Sequence, residues 1–123
     1  ASIDVLRAFA PAAIMTTRVP DTLKGTVSLM QPPRDSVQRV REPARPAWVV
    51  LPKYRAGSAA VMEPSNRAAT FLLMAEQSFN YDIHGMRGFE ALSALMDSCR
   101  SLQFTYSDLD GAARSFDQLA SLD

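Results

Sequence analysis

The sequence has few of the residues that form disulfides and metal clusters, and no excess of positive charge. Its 123 residues include one cysteine, one histidine and one tryptophan. A single cysteine excludes an internal disulfide and a cysteine-cluster zinc site. Thirteen basic residues balance thirteen acidic ones, so the net charge does not favour nucleic-acid binding. The length fits one domain, or one piece of a larger domain.

Long apolar runs are also missing. No stretch approaches the ~20 residues that cross a bilayer, and the N-terminus has no basic region followed by a long apolar one, so it is not a signal peptide. Together with the free cysteine, this favours a cytoplasmic protein without a membrane partner. The chain begins with Ala1 rather than Met, and a helix-like pattern follows at once. We expect either a chain that starts partway through a longer protein or one whose initiating Met has been removed.

Several catalytic motifs are absent, and isolated reactive residues have structural interpretations. Neither GxxxxGK[ST], GxGxxG nor GxSxG occurs, so these residues contain no P-loop. His84 has only Asp82 nearby, at a spacing that does not converge on a helix, and we predict no metal site. We interpret Cys99 as a small apolar residue on a helix face. The stretch from Ser107 to Asp110 resembles a capping box, which accounts for its two carboxylates without acid chemistry.

The positive charge is concentrated in the middle of the chain and is mostly arginine. Residues 31–70 carry seven basic side chains against three acidic ones, and residues 71–123 carry three against eight. Arginine suits the recognition of phosphate and carboxylate groups. Alternatively, the basic centre is a solvated loop whose charges pair with the acidic C-terminal third.

Local patterns predict a layered fold of helices and strands. Residues 47–51 form an apolar run between two prolines, which is typical of a strand covered on both faces. We predict further strands at 25–30, 59–62 and 101–106, helices at 2–10, 64–79, 86–99 and from 109 onward, and one or two helical turns within 33–41. Residues 11–24 are predicted to be a loop, with or without a short extended piece at 13–15. The expected class is α+β, or α/β, with about four strands and with helices mainly in the second half. The chain is then a single domain, or half of a domain whose sheet is completed by other residues.

One segment has the properties of a binding site. Residues 52–58 follow the predicted strand at its C-terminal end, where ligands gather in open sheets. Lys53 and Arg55 could hold phosphate oxygens, and Gly57 would allow the backbone to approach a ligand closely. The alternative is an ordinary charged turn between two strands.

The segment also resembles a known protein family. Residues 45–57, Arg-Pro-Ala-Trp-Val-Val-Leu-Pro-Lys-Tyr-Arg-Ala-Gly, look like the "RPRWVVFPRYRPG" stretch of the HprK-related kinases, bacterial relatives of the HPr serine kinase/phosphorylase. Further stretches follow in the family's order, at residues 2–9, 24–27, 32–37, 75–81 and 106–110. The better-known HPr kinases carry "RPGRN" at this turn, and of that motif Arg55 and Gly57 match. The resemblance covers almost the whole chain.

This resemblance implies the C-terminal part of a phosphoenolpyruvate-carboxykinase-like kinase fold. The P-loop, and the acidic residues that serve metal and base roles in that family, would belong to a missing N-terminal half, which is then the main partner. The chain would bind no cofactor by itself and would not be catalytic alone, whereas the parent would use ATP and Mg²⁺. Lys24 and Arg34, beside family-like stretches, become the next phosphate- or substrate-facing candidates. A small protein could be the phosphoacceptor, and its identity stays open.

A second hypothesis belongs to a different class of function. The chain could be a complete, non-enzymatic interaction module that docks on a kinase or adaptor through its basic centre or a sheet edge. Under the kinase hypothesis, an uncovered sheet edge or apolar face should make the chain self-associate.

Overall fold

A computed structural model describes residues 2–122 and divides the chain into two compact units, residues 1–44 and 45–123. Across the described residues there are six helices and five strands in two sheets. The protein is therefore an α+β protein, which confirms the expected class. Four of the six described helices lie beyond residue 66, as expected.

The first unit contains four elements: α1 (Ser2–Phe9), β1 (Val19–Thr22), β2 (Gly25–Val27) and α2 (Arg34–Gln38). β1 and β2 form an antiparallel hairpin, which is extended by an isolated bridge between Met15 and Met30. The loop prediction for 11–24 was wrong at β1, because the extended piece that it allowed lay at 13–15. This strand was not predicted because Pro20 lies within it, and proline normally argues against a strand. Both strands of a two-stranded sheet have a free edge, however, and proline is tolerated there.

The first unit has no closed core. None of residues 2–44 is buried, and only scattered side chains such as Ile3, Leu6 and Val27 are half-buried. A segment of this size rarely buries enough apolar surface to fold without help from other residues.

The second unit contains seven elements: β3 (Trp48–Tyr54), β4 (Val61–Pro64), α3 (Arg67–Gln77), α4 (Tyr81–His84), α5 (Met86–Ser98), β5 (Arg100–Tyr106) and α6 (Leu109–Ala120). The sheet order is β3-β5-β4. β3 runs parallel to β5, and β4 runs antiparallel to it. The long connection from β3 to β5 carries β4 and three helices.

The sequence misplaced the centre of this sheet. We expected the apolar run at 47–51 to be covered on both faces, but β3 is an edge strand in which only Val49 is buried. The central strand is β5, where Leu102 and Phe104 are buried. An apolar run indicates that both faces of a strand are covered. Whether the strand lies at the edge or in the centre of the sheet depends on pairing with strands far away in the sequence.

Helices cover the two faces of the sheet. On one face, Val49 packs with Leu92 and Met96 of α5, and half-buried side chains of α3 complete that cluster. On the other face, Phe104 contacts Phe116 of α6, with ring centroids 5.4 Å apart. Alternate residues of a strand share a face of the sheet. Leu51 and Lys53 therefore lie on the same face as Val49, which is the face that α3 and α5 cover.

Capping residues set the starts of the two helices that flank the sheet. Asn66 accepts a hydrogen bond from the backbone N–H of Ala69 at the start of α3. At α6 the cap is Asp108, whose carboxylate accepts from the N–H of Gly111. The predicted capping box placed the N-cap at Ser107, one residue before the observed cap. The Ser107 hydroxyl instead donates to the carbonyl of Ser58. No helix within 2–122 is long and apolar enough to cross a membrane.

Candidate functional site

The candidate segment at 52–58 consists of a strand end and a tight turn. β3 continues through Pro52 to Tyr54, although the sequence predicted that Pro52 would end it. Lys53 therefore lies on the strand rather than in the turn, and pairs with Thr105 of β5. Proline is tolerated in an edge strand when its missing N–H faces away from the neighbouring strand.

Residues 55–58 form the turn itself. The N–H of Ser58 donates to the carbonyl of Arg55 at 3.1 Å, and the Ser58 hydroxyl donates to the same oxygen at 2.8 Å. Gly57 has φ +72°, and an added Cβ would meet nothing within 4 Å. A positive φ at the third position alone is the pattern of a type II turn, which explains glycine there.

Two hydrogen bonds fix this turn beside the start of α6. The Arg55 N–H donates to the carbonyl of Tyr106 at 2.8 Å, and the Ser107 hydroxyl donates to the carbonyl of Ser58 at 2.7 Å. Lys53 and Arg55 thus lie where two parallel strands end together. This is the edge of an open sheet at which ligands commonly bind.

Both cations at this edge are exposed and have no ion-pair partner among residues 2–122. The described ion pairs join Arg18 to Asp4, Arg39 to Glu42 and Arg67 to Asp97. The acidic C-terminal third therefore contributes a partner to Arg67, but its described residues contribute none to Lys53 or Arg55. Their charges remain available to an anion.

The N-terminus of α6 adds little positive potential to this edge. Asp108 caps it at 2.6 Å, and Asp110 stands in its first turn. Carboxylates at a helix start offset the partial positive charge of the free N–H groups. Anion binding at this edge would therefore depend on the side chains of Lys53 and Arg55.

Uncharged and acidic side chains share the face on which Lys53 lies. The register places Lys53, Thr105 and Val61 in one row, and Leu51, Gln103 and Glu63 in the next. Gln103 and Glu63 are exposed, whereas Leu51 in the same row packs against the cluster of Val49, Leu92 and Met96. The sequence alone does not predict that these residues are neighbours, because their positions depend on the registers in which β3 and β4 pair with β5.

Aromatic rings occupy the opposite face at the same edge. Tyr54 contacts Tyr106 edge-on at 5.9 Å, and Tyr106 stacks on Phe104 at 5.3 Å. The Tyr54 ring is 64% exposed. A tyrosine at the end of each strand is visible in the sequence, but their contact follows only from the parallel register.

The other predicted phosphate-facing residues belong to the first unit. Lys24 lies exposed in the hairpin loop, where its N–H donates to the Thr22 hydroxyl. Arg34 begins α2 and lines a cleft of about 380 Å³ whose other walls are mostly apolar. The structure brings Lys53, Arg55 and Gly57 together in one segment, and it places Lys24 and Arg34 on separate elements.

No described residues form an obvious metal centre. Within 2–122 no three His, Cys, Asp or Glu side chains are grouped to hold an ion. His84 is exposed at the end of the four-residue α4. Cys99 is half-buried and packs against the cluster formed by Val49, Leu92 and Met96.

Comparison with known proteins adds no assignment. No protein-family model matches the chain, and neither the curated proteins nor the solved structures contain a significant match.

Proposed function

We propose that this chain is the C-terminal part of an HprK-related, ATP-dependent serine kinase. In that role it contributes part of the sheet and a basic turn that faces a phosphate, and it is not catalytic alone. The observation that carries the proposal is the pair of exposed cations, Lys53 and Arg55, at the common end of β3 and β5. Neither has an ion-pair partner among residues 2–122. Phosphoryl transfer depends on positioning and on neutralising the charge of phosphate oxygens.

The distribution of apolar surface also supports the proposal. None of residues 2–44 is buried, while large side chains such as Leu23, Phe79 and Ile83 are 80% or more exposed. Exposed apolar surface on this scale marks contacts with other polypeptide. The rest of a kinase domain would provide that cover and would be the chain's main partner.

The parent kinase would use Mg-ATP, and the residues of this chain fit only part of that ligand. Lys53 and Arg55 can contact phosphate oxygens, and Gly57 leaves open space beside the backbone. No cluster of three His, Cys, Asp or Glu side chains occurs within residues 2–122, and by the resemblance the metal-binding acidic residues would belong to the N-terminal half of the parent. ATP supplies the transferred phosphoryl group, and a small protein could accept it.

The proposal is tested by nucleotide binding to two proteins. The 123-residue chain should not bind Mg-ATP in isothermal titration calorimetry, whereas the same chain extended by its own upstream coding sequence should bind it stoichiometrically. In the extended protein, Lys53→Gln with Arg55→Gln should weaken ATP binding or turnover at least tenfold, while Arg114→Gln, a matched exposed arginine on α6, should not. Stoichiometric ATP binding by the 123-residue chain would contradict the proposal.

A further inference from the structure

In the described sheet, every second residue of β3 directs its backbone N–H and C=O groups away from β5. Two hydrogen bonds at the ends of the strand show which residues these are. The Arg55 N–H donates to Tyr106, and the Ala47 carbonyl accepts from the N–H of Arg100. Backbone groups alternate between the two edges of a strand, so the odd-numbered residues of β3 bond to β5. The even-numbered residues, Trp48, Val50, Pro52 and Tyr54, direct their backbone groups to the opposite edge.

In the sheet that the described residues form, no strand pairs with that opposite edge. β3 is hydrogen-bonded to β5 alone in the sheet formed by the described residues. Pro52 lies at an outward position, so its missing N–H costs no bond with β5. The edge therefore offers the N–H and C=O groups of Trp48 and Val50, followed by the carbonyl of Pro52.

The side chains along this edge are apolar in the middle and basic at both ends. Trp48, Val50 and Leu51 are half-buried. Arg45 precedes the strand, and Lys53 and Arg55 end it. None of these three cations has an ion-pair partner in the described part of the chain.

This charge pattern distinguishes between possible occupants of the edge. In a two-fold pairing of β3 with a second copy, the strands would run antiparallel and Arg45 would approach the end that carries Lys53 and Arg55. Like charges across a strand pair are destabilising. A strand from another polypeptide with acidic ends would instead meet a cation at each end.

We propose that the outer edge of β3 binds an extended segment of a partner protein, with an apolar centre and acidic residues at both ends. The segment adds a strand beside Trp48 and Val50, and pairing stops at Pro52 because that residue has no N–H to donate. Backbone hydrogen bonds provide affinity in this mode of recognition, and side chains and charge provide selectivity. The inference requires neither a phosphate nor a nucleotide, although it shares Lys53 and Arg55 with the proposed phosphate-facing segment.

The test uses the complete 123-residue chain and a fluorescein-labelled peptide, Glu-Val-Thr-Val-Thr-Val-Asp, with blocked ends. Binding should raise the peptide's anisotropy and shift the emission of Trp48, the chain's only tryptophan. Val50→Pro should weaken binding about tenfold, because it removes an outward donor. It should leave the ladder to β5 intact, so helical circular dichroism should be retained. Val50→Thr keeps the N–H and should bind normally.

Two altered peptides keep the inference testable if Val50→Pro does not fold. A peptide methylated on its three central backbone nitrogens should bind at least tenfold more weakly to the unaltered chain, and so should one with lysine at both ends. Equal binding by either peptide, or no binding by the original, would overturn the inference. A dimer of the chain that Val50→Pro abolishes would assign the edge to a second copy and would overturn it too.

Discussion

The hydroxyl of Ser107 donates a hydrogen bond to the backbone carbonyl of Ser58 at 2.7 Å. This bond joins the turn after β3 to the residue that precedes the cap of α6, across 49 positions of the sequence. Because Ser58 closes the turn that begins at Arg55, the bond helps to hold the candidate phosphate-facing residues at the end of the sheet.

Removing that hydroxyl should loosen the turn. Ser107→Ala leaves the Ser58 carbonyl without this donor, and we expect a loss of about 1 kcal/mol of stability. Hydrogen exchange should accelerate at residues 55–58. Ser121→Ala is the matched control, since that hydroxyl bonds only to Gln118 within the last turn. Equal exchange at the turn in both variants would show that Ser107 does not hold it.

The cap of α6 should be coupled energetically to Gly111. Asp108→Ala removes the cap and should cost about 1 kcal/mol. A Cβ at Gly111 would lie 3.1 Å from each carboxyl oxygen of Asp108, which opposes the usual gain of about 1 kcal/mol from replacing helical glycine by alanine. Gly111→Ala should therefore stabilise the protein more in the Asp108→Ala background than alone. Urea unfolding of the four proteins measures this coupling, and an equal gain in both backgrounds would contradict it.

The Asp4–Arg18 pair should make the first unit sensitive to acid. The hydrogen bond and charge of Arg18 lower the pKa of Asp4 below its usual value of 3.8. A lowered pKa means that this contribution is fully present above pH 3.8 and is lost as the pH falls through the folded-state pKa. An NMR titration of the Asp4 carboxyl should show the lowered midpoint, and Arg18→Gln should raise it. An unchanged midpoint in Arg18→Gln would remove Arg18 as the cause.

Exposed apolar side chains should make the isolated chain self-associate. Phe79, Ile83 and Met86 are 101%, 80% and 70% exposed, and surface of this kind drives association in water. Sedimentation velocity should show a mass that rises with concentration. Phe79→Ser with Ile83→Ser should reduce association without lowering the melting temperature, since neither side chain is packed. A single monomeric species at high concentration would contradict this expectation.

Local signals in the sequence were sufficient to predict three of the four described helices of the second unit, and α4 was missed. The apolar spacing of α3, α5 and α6 has the helical period, and each helix lies within a few residues of its predicted position. β5 was found by its alternation, which is a property of neighbouring residues. These signals persist where the side chains that carry them pack, as Leu92 and Met96 of α5 and Leu102 and Phe104 of β5 do. In α3 the packed apolar side chains are only half-buried, and Leu72 is 62% exposed.

Properties that depend on distant residues were missed. Among the described strands β3 pairs with β5 alone, about fifty residues later in the chain, and is therefore an edge strand. β3 continues through Pro52 because this residue faces the edge at which no described strand pairs, where its missing N–H is not needed. For the same reason, the sequence located Lys53 and Arg55, but the contacts of their segment with Tyr106 and Ser107 required the structure.

Lys53 and Arg55 should face a phosphate in the complete protein. An NMR titration of the ¹⁵N-labelled chain, extended by its own upstream coding sequence, with inorganic pyrophosphate tests this most directly. Saturable shift changes should occur at Lys53, Arg55 and Gly57. They should disappear in Lys53→Gln with Arg55→Gln and persist in Arg114→Gln. Shifts spread over all exposed arginines, or unchanged in the double variant, would contradict the account.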